Sequence, residues 1–197
     1  MEIRKGRNSG VQVPDLYKPG PPGPGELTQT PWEIEGPYFR LGTPCRSNLL
    51  EPGDKPGCVI SGRVLNERGV PIPHAIVHIW SADADGNYDT LGYRYNGYQH
   101  CDGNGRYEFT TIMPARYAPR DSRHFHVKVQ GNSRPITTQL FLEGDPGNDE
   151  DEFYHTLLEI RHDHTDDDGV WHGIYDFVIR QVSDHHNVLP ECLAARV

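Results

Sequence analysis

The sequence has no long apolar run. A helix that crosses a membrane needs about 20 consecutive, mostly apolar residues, and no such stretch occurs among the 197 residues. The first residues, MEIRKGRNSG, are charged and polar, and no apolar segment of the kind found in secretory signals follows them. The sequence therefore predicts no membrane partner and a cytoplasmic location.

Positive charge is also scarce. The chain has 19 Lys and Arg residues against 28 Asp and Glu residues, a formal net charge of −9 at pH 7. Proteins that bind nucleic acid neutralise its phosphates with clustered basic side chains, and no such cluster is present. We therefore expect no nucleic-acid partner.

Cysteine is sparse and scattered. None of the four residues belongs to a Cys-x-x-Cys pair, the spacing from which structural zinc sites commonly take their ligands. A zinc ribbon is therefore not predicted. Free buried thiols are the preferred interpretation, with one or two disulfides left open, for Cys45, Cys58, Cys101 and Cys192.

Glycine and proline, by contrast, are plentiful, with 21 and 17 residues. In the segment KPGPPGPGELT (18–28), the prolines lack the backbone N–H donor and the glycines lose too much conformational entropy on ordering. Neither a helix nor a paired strand is therefore expected there. We predict an extended Pro/Gly-rich arm over residues 1–30, either disordered or wrapped around a partner subunit, and a compact domain over 31–197.

Short segments rich in β-branched and aromatic residues recur through the compact domain, separated by turn residues. Predicted strands lie within 57–73, 75–86, 105–112, 124–129, 136–142 and 169–182. Acidic loops are predicted at 144–152 and 161–169, and 151–160 is the candidate for a short helix. Many strands with no helical alternation predict an all-β fold, an antiparallel β-sandwich with long acidic loops and an extended N-terminal arm.

The segment PRDSRHFHVKVQG (119–131) alternates in the manner of an amphipathic strand. Its apolar face carries Phe125, Val127 and Val129. His124 and His126 lie on the other face, roughly 6–7 Å apart at the spacing of a strand, and two imidazoles so placed can reach one ion. Two solvated histidines are the alternative explanation of this pair.

In many β-sandwich ferrous sites, a carboxylate a few residues downstream of the histidine pair completes the ligand set. Here Lys128, Gln130 and Gly131 occupy those positions, so a ferrous site of this type is disfavoured. Six tyrosines lie nearby: Tyr88, Tyr93, Tyr95, Tyr98, Tyr107 and Tyr117. A phenol has an ordinary pKa of about 10, and a hard trivalent ion stabilises its anion strongly. Two phenolates and two neutral imidazoles would leave one net positive charge on Fe(III). The second His-x-His, at 162–164, is interpreted as solvated surface.

Five blocks occur in order along the compact domain: EGPYF (35–39), GRVLNERGVPIPHAIVHIWSADADGNYD (62–89), CDGNGRYEFTTIMPARY (101–117), RHFH (123–126) and TTQLFLEGDP (137–146). Together they resemble the intradiol ring-cleavage dioxygenases, a family that includes protocatechuate 3,4-dioxygenase, catechol 1,2-dioxygenase and hydroxyquinol 1,2-dioxygenase. The resemblance covers about residues 31–182, and it implies that 31–197 is the catalytic domain.

The resemblance implies a β-sandwich that holds non-haem Fe(III) through two tyrosinates and two histidines. The first tyrosine matches Tyr88, in WSADADGNY, and the second matches Tyr117, in TIMPARY. The histidines match His124 and His126. In the family picture, Tyr117 leaves the metal and accepts a proton as the substrate binds.

Further site residues follow from the same resemblance. The family often has an arginine three residues before the first histidine, where this chain has Asp121. Arg120 or Arg123 is therefore the candidate for stabilising negative charge on the substrate. Gln139, in TTQLF, matches a position beside the family's active site. The candidate walls of the substrate pocket are Tyr38 and Trp80.

The implied reaction cleaves the ring of a catechol with O2, between the two hydroxyl-bearing carbons, and yields a cis,cis-muconate-type diacid. Family members commonly assemble, so a homo-oligomer or a hetero-oligomer with a related chain is expected. The segment GRVLNERGVPIPHAIVHIW (62–80) also resembles transthyretin-like and carboxypeptidase-regulatory-like modules, which bind without catalysis. That alternative does not account for the four ligand matches.

Overall fold

The computed structural model describes residues 22–181. Within them lie nine strands: β1 (Cys58–Leu65), β2 (Ile76–Trp80), β3 (Asn96–His100), β4 (Arg106–Thr111), β5 (His124–Gln130), β6 (Ile136–Leu142), β7 (Glu159–Thr165), β8 (Trp171–Ile174) and β9 (Phe177–Val178). Two short 3-10 turns also occur, at Asn148–Glu150 and Thr156–Leu158. The all-β fold class predicted from the sequence is confirmed.

The strands form one sheet in the order β3-β2-β5-β6-β7-β8-β1-β4, with β9 paired to β1. Five neighbouring pairs run antiparallel, as expected. Three pairs run parallel: β1 with β8, β1 with β9, and β6 with β7. The purely antiparallel arrangement was therefore wrong, because the C-terminal strands lie beside β1 in the same direction.

Both halves of the sheet contribute to one hydrophobic core. Val77, Val127 and Leu140, from β2, β5 and β6, belong to the same cluster as Ile60 and Phe109, from β1 and β4. All five side chains are at most 1% exposed. The sheet therefore encloses a single core, and β5 crosses its centre.

Several local predictions need correction. Residues 151–160 contain a 3-10 turn and the start of β7 instead of a helix. The acidic stretch 161–169 belongs to β7 as far as Thr165, so most of it is strand. Segment 169–182 is neither one long strand nor a hairpin, because β8 and β9 both pair with β1. The sequence also gave no signal for β3.

The described end of the predicted arm lies against the sheet. The amide of Leu27 donates to the carbonyl of Glu67 at 2.7 Å, and the amide of Thr30 donates to the carbonyl of Val178 at 2.9 Å. Residues 1–21 of the arm and 182–197 of the domain, including Cys192, lie outside the described residues. The division at residue 31 stays a prediction.

The chain then runs along β6. The Glu33 amide donates to the Thr137 carbonyl at 3.0 Å, and the Thr138 hydroxyl donates to the Pro31 carbonyl at 2.7 Å. Further along, the Ile34 carbonyl accepts a hydrogen bond from Nε2 of Gln139 at 3.1 Å and Gly36 lies against the ring of His126, so the chain reaches the polar face of β5 and β6 at these two residues.

The three described cysteines, Cys45, Cys58 and Cys101, are free thiols, and Cys45 is exposed. Burial fits the interpretation from sequence for Cys58 and Cys101. In the part of the chain from 22 to 181, no helix is long and apolar enough to cross a bilayer.

Candidate metal centre

Strand β5 places two histidines side by side. His124 and His126 leave the same face, their ring centroids are 5.1 Å apart, and each is 2% exposed. Burial, with a contribution from Arg120, lowers the pKa of His124 to about 3, and burial also holds the pKa of His126 well below its ordinary value. Both imidazoles are therefore neutral at pH 7, which is the form that binds metal ions. The solvated alternative for this pair does not hold.

His126 is enclosed on three sides. Trp80, opposite it on β2, stacks on the ring with centroids 5.2 Å apart and planes 11° apart. Gln139 lies opposite on β6, and Gly36 approaches the ring edge. Neither ring nitrogen of His126 has a hydrogen-bond partner among the described residues. Buried polar atoms are nearly always satisfied, so the two unpartnered ring nitrogens fit the predicted role of His126 as a metal ligand.

His124 has a fixed orientation. Its Nδ1 lies 3.0 Å from the carbonyl oxygen of Ser122, and since a carbonyl only accepts, Nδ1 carries the proton. The unprotonated Nε2 therefore faces the site, 3.3 Å from the hydroxyl of Tyr117. A hydrogen bond of this kind to the far nitrogen is the usual way in which proteins orient a ligating histidine.

Two loops bring the predicted tyrosines to the histidines. Tyr88 follows β2 and Tyr117 follows β4, and their hydroxyl oxygens are 3.4 Å apart. The ring of Tyr88 lies 5.9 Å from that of His126, edge to face. Burial raises the pKa of both phenols, and the neighbouring phenol raises that of Tyr88 further. Without a cation, both tyrosines are neutral.

The donor set fits the predicted ion. Two half-buried phenols and two buried, neutral imidazoles meet here, and phenolate oxygen is a hard ligand of the kind that Fe(III) favours. Among residues 22–181 there is no group of three or more His, Cys, Asp and Glu side chains placed to hold a metal. The predicted ligand set therefore needs the two phenols beside the two histidines.

The two candidate arginines differ in position. Arg120 is 8% exposed, and its Nη1 lies 3.1 Å from Nε2 of His124. Arg123 points away and contacts the Asp145 carboxylate at 3.5 Å, as Arg116 does at 2.9 Å. Of the two, Arg120 is at the site.

The other predicted residues surround the ligands. Tyr38 stacks on Tyr88 with ring centroids 4.2 Å apart and planes 9° apart, which places it beside a proposed ligand, and its contact with substrate stays a prediction. Gln139 is fully buried, and its Nε2 donates to the carbonyl of Ile34 at 3.1 Å. Trp80 is 1% exposed and supports His126 from behind, so its predicted contact with substrate stays a prediction.

Three residues at the site were not singled out from the sequence. Gly36 approaches His126, Ser122 accepts the proton of His124 through its carbonyl, and Asp151 binds Arg120. Gly36 lies in the EGPYF block, which was a usable signal. Asp151 lies 31 residues from Arg120 in an acidic stretch and carried no signal of its own.

The other His-x-His behaves as predicted. His164 is 55% exposed and contacts Asp163 at 3.0 Å. His162 stacks on Trp171 at the surface, with its Nε2 3.1 Å from the hydroxyl of Thr165. Neither histidine approaches the centre on β5.

Comparison with known proteins agrees with this geometry. A family model described as Dioxygenase matches residues 34–180. Catechol 1,2-dioxygenase 2 of Acinetobacter lwoffii is 30% identical over 145 residues, covering 59% of this chain and 52% of that protein. The protocatechuate 3,4-dioxygenase beta chain of Burkholderia cepacia is 33% identical over 119 residues, covering 50% and 51%. The chain thus spans about half the length of these curated relatives.

A solved structure matches over its whole length. The dioxygenase domain of a dioxygenase–carbohydrate-binding protein fusion from Streptomyces sp. SirexAA-E superimposes with a TM-score of 0.73 at 31% identity. The match covers 78% of this chain and 99% of that domain. The similarity is therefore to a complete dioxygenase domain.

Proposed function

The chain belongs to the intradiol ring-cleavage dioxygenase family, and from that premise we propose that it is a non-haem Fe(III)-dependent enzyme acting on a catechol-type diol. It cleaves the ring with O2 between the two hydroxyl-bearing carbons and yields a cis,cis-muconate-type diacid. The proposed iron ligands are Tyr88, Tyr117, His124 and His126.

The convergence of four neutral donors, on two buried histidines and two half-buried tyrosines, carries this proposal. The hydroxyls of Tyr88 and Tyr117 are 3.4 Å apart, and the latter lies 3.3 Å from Nε2 of His124. His126 adds two ring nitrogens without partners. A packed core does not gather such groups without use, because each unsatisfied buried polar atom costs about 1–3 kcal/mol.

When bound, Fe(III) supplies a Lewis acid that stabilises phenolates and draws electron density from a chelated catecholate. The chain's own groups then have separate duties. Tyr117 can take up a substrate proton at its phenolic oxygen, because its loop position leaves it less enclosed than the histidines on β5. His124 and His126 stay fixed by Ser122 and Trp80.

Three residues act on the substrate in this proposal. Arg120 places a guanidinium at the site, where it stabilises negative charge as it develops. Gln139 has an amide oxygen without a partner among the described residues, which makes it a candidate acceptor. Tyr38 lies flat on Tyr88 and forms a wall for an aromatic ring.

An O2-uptake assay over a panel of catechols tests this function. Catechol, protocatechuate, hydroxyquinol and substituted catechols are supplied to iron-loaded protein, and product absorbance separates intradiol from extradiol cleavage. We expect O2 uptake with muconate-type products for at least one member. Extradiol products across the panel would overturn the proposal.

The colour of the protein separates this function from a non-catalytic transthyretin-like or carboxypeptidase-regulatory-like module. Charge transfer from two tyrosinates to Fe(III) should make the purified protein wine-red, whereas a binding module would be colourless. The family membership does not favour the module. We also propose that the protein assembles with itself or with a related chain, and that it is cytoplasmic.

A further inference from the structure

We propose that Asp151 is a positioning residue of the metal centre, which fixes the plane of the Arg120 guanidinium beside His124 and offsets part of its charge near the ion. This inference rests on the proposed function, since it concerns the same site. Asp151 contacts no substrate or metal in this role and acts through Arg120 and Ser122.

The carboxylate of Asp151 accepts hydrogen bonds from several surrounding donors. Arg120 donates to both Asp151 oxygens, from Nε to Oδ2 at 2.8 Å and from Nη2 to Oδ1 at 3.0 Å. The Ser122 hydroxyl donates to Oδ2 at 2.6 Å, and the Phe153 amide donates to Oδ1 at 3.1 Å. The Asp151 side chain is 0% exposed and that of Arg120 is 8% exposed. A two-bond contact of this kind fixes the guanidinium plane as well as its distance.

The network reaches His124 from two directions. The remaining guanidinium nitrogen, Nη1, lies 3.1 Å from Nε2 of His124, the nitrogen that faces the site. Ser122 binds Asp151 through its hydroxyl and the Nδ1 proton of His124 through its carbonyl. A change at Asp151 is therefore transmitted to both nitrogens of one proposed iron ligand.

The aromatic neighbours of Arg120 do not replace the carboxylate. Phe153 lies 4.7 Å and Phe141 5.9 Å from the guanidinium carbon. Glu33 is another acidic group near this pair, but burial raises its pKa to about 7, so a large fraction of it is protonated at neutral pH. Asp151 is thus the main negative charge that balances Arg120.

A guanidinium without that balance would oppose metal binding. Two positive charges repel strongly in a buried place because little solvent screens them. Loss of one partner of a buried ion pair leaves the other charge uncompensated. Without Asp151, Arg120 would present a full positive charge at the ring nitrogen that Fe(III) needs.

The fold brings this carboxylate to the site through close backbone contact. A Cβ on Gly147 would lie 1.7 Å from the carbonyl oxygen of Asp121, so the loop before Asp151 lies directly on residues 121–122. The 3-10 turn Asn148–Glu150 then leads into Asp151. The contact depends on a glycine at 147.

Asp151→Asn in the iron-loaded protein tests the proposal. We expect an iron affinity about 10- to 100-fold lower, the range seen when groups that orient metal ligands are removed, together with a shift of the visible charge-transfer band. Iron per chain after dialysis against a chelator and the absorption spectrum are the measurements. A variant with the parent's iron affinity and spectrum would overturn the proposal.

Asp145→Asn is the matched control. Asp145 is also a buried carboxylate, 1% exposed, with two arginine partners, Arg116 and Arg123, but these point away from the histidines. Its loss should lower the thermal unfolding midpoint of the metal-free protein and leave iron affinity and colour unchanged. An equal loss of iron in both variants would mean that Asp151 has a merely structural role.

A double-variant cycle separates charge from packing. Arg120→Met removes the cation, so Asp151→Asn added to it should cost far less iron affinity than Asp151→Asn alone. Additive losses would overturn the charge argument. A parent that binds iron but cleaves no catechol would refute the proposed function and leave this test intact, whereas a parent that binds no iron overturns both.

Discussion

Gly36 offers a sharp test of how the chain encloses the metal centre. Its φ of +71° is a left-handed backbone conformation, and a Cβ added there would lie 3.1 Å from Cε1 of His126. That separation is tighter than an ordinary van der Waals contact. The stacking of Trp80 on the ring of His126 limits the ways in which the ring can move. Gly36→Ala therefore combines backbone strain with pressure on one proposed iron ligand.

The two costs of Gly36→Ala can be separated in size. The left-handed backbone costs an alanine about 1–2 kcal/mol. In a protein of this length, 1 kcal/mol shifts the thermal midpoint by about 2–4 °C, so we expect a loss of about 2–8 °C. The pressure on His126 should move the ring by a few tenths of an ångström, and because small misplacements of catalytic groups are costly, we expect about tenfold slower ring cleavage.

Gly169→Ala is the control for backbone strain alone. Gly169 has a similar φ, +82°, and a Cβ there would meet nothing within 4 Å. Calorimetry should give both variants a comparable loss of thermal midpoint, while O2 uptake and the visible band should change in Gly36→Ala only. Equal activity and colour in the two variants would refute the claim that a side chain at position 36 presses on His126.

Three further outcomes follow from the site and the core. Tyr88→Phe and His126→Ala should each bleach the visible band and abolish turnover, and full activity in either would mean that the ligand assignment is wrong. Phe125→Ala should lower the unfolding free energy by about 3–5 kcal/mol, because its ring is 1% exposed; urea titration measures this, and a loss below 1 kcal/mol would contradict it. Burial raises the pKa of Glu33 from 4.5 to about 7, so the folded state holds a proton that the unfolded chain releases, and the unfolding free energy should fall as pH rises through that window. Glu33→Gln should flatten this slope in urea titrations at several pH values, and an unchanged slope would contradict the assignment.

The histidine pair was predictable because its information is local. Alternation in a strand places His124 and His126 on one face and Phe125 in the core whatever the rest of the fold does. The structure confirms that Phe125 is buried. The strand alone does not show which residues cover its polar face, because Gly36 and Trp80 come from distant parts of the chain.

The incorrect strand predictions also come from long-range pairing that the local sequence does not show. Strand β7, EIRHDHT, has exposed polar residues from Arg161 to Thr165, so no alternation distinguishes it from a loop. Strand β3, NGYQH, has little apolar content, and it exists because its whole length pairs with β2. The direction of β8 and β9 beside β1 is a tertiary property that composition does not encode.

Asp151 is the clearest case of a site residue that sequence patterns could not reveal. It lies in GDPGNDEDE, where several acidic residues look alike in the sequence. Its distinction comes from the way the loop after β6 lies on residues 121–122. The position of the loop backbone, and not the local sequence, therefore gives Asp151 its contact with Arg120.

The balance of charge favours a trivalent ion at this centre. Burial keeps the phenols of Tyr88 and Tyr117 neutral by raising their pKa, and it keeps both imidazoles neutral by lowering theirs. To ionise two buried phenols, a cation must offset the cost of placing two anions in a poorly solvated site, and this offset grows with the charge of the cation. A divalent ion would be neutralised completely by two phenolates. A trivalent ion retains one positive charge, which is what an incoming catecholate needs.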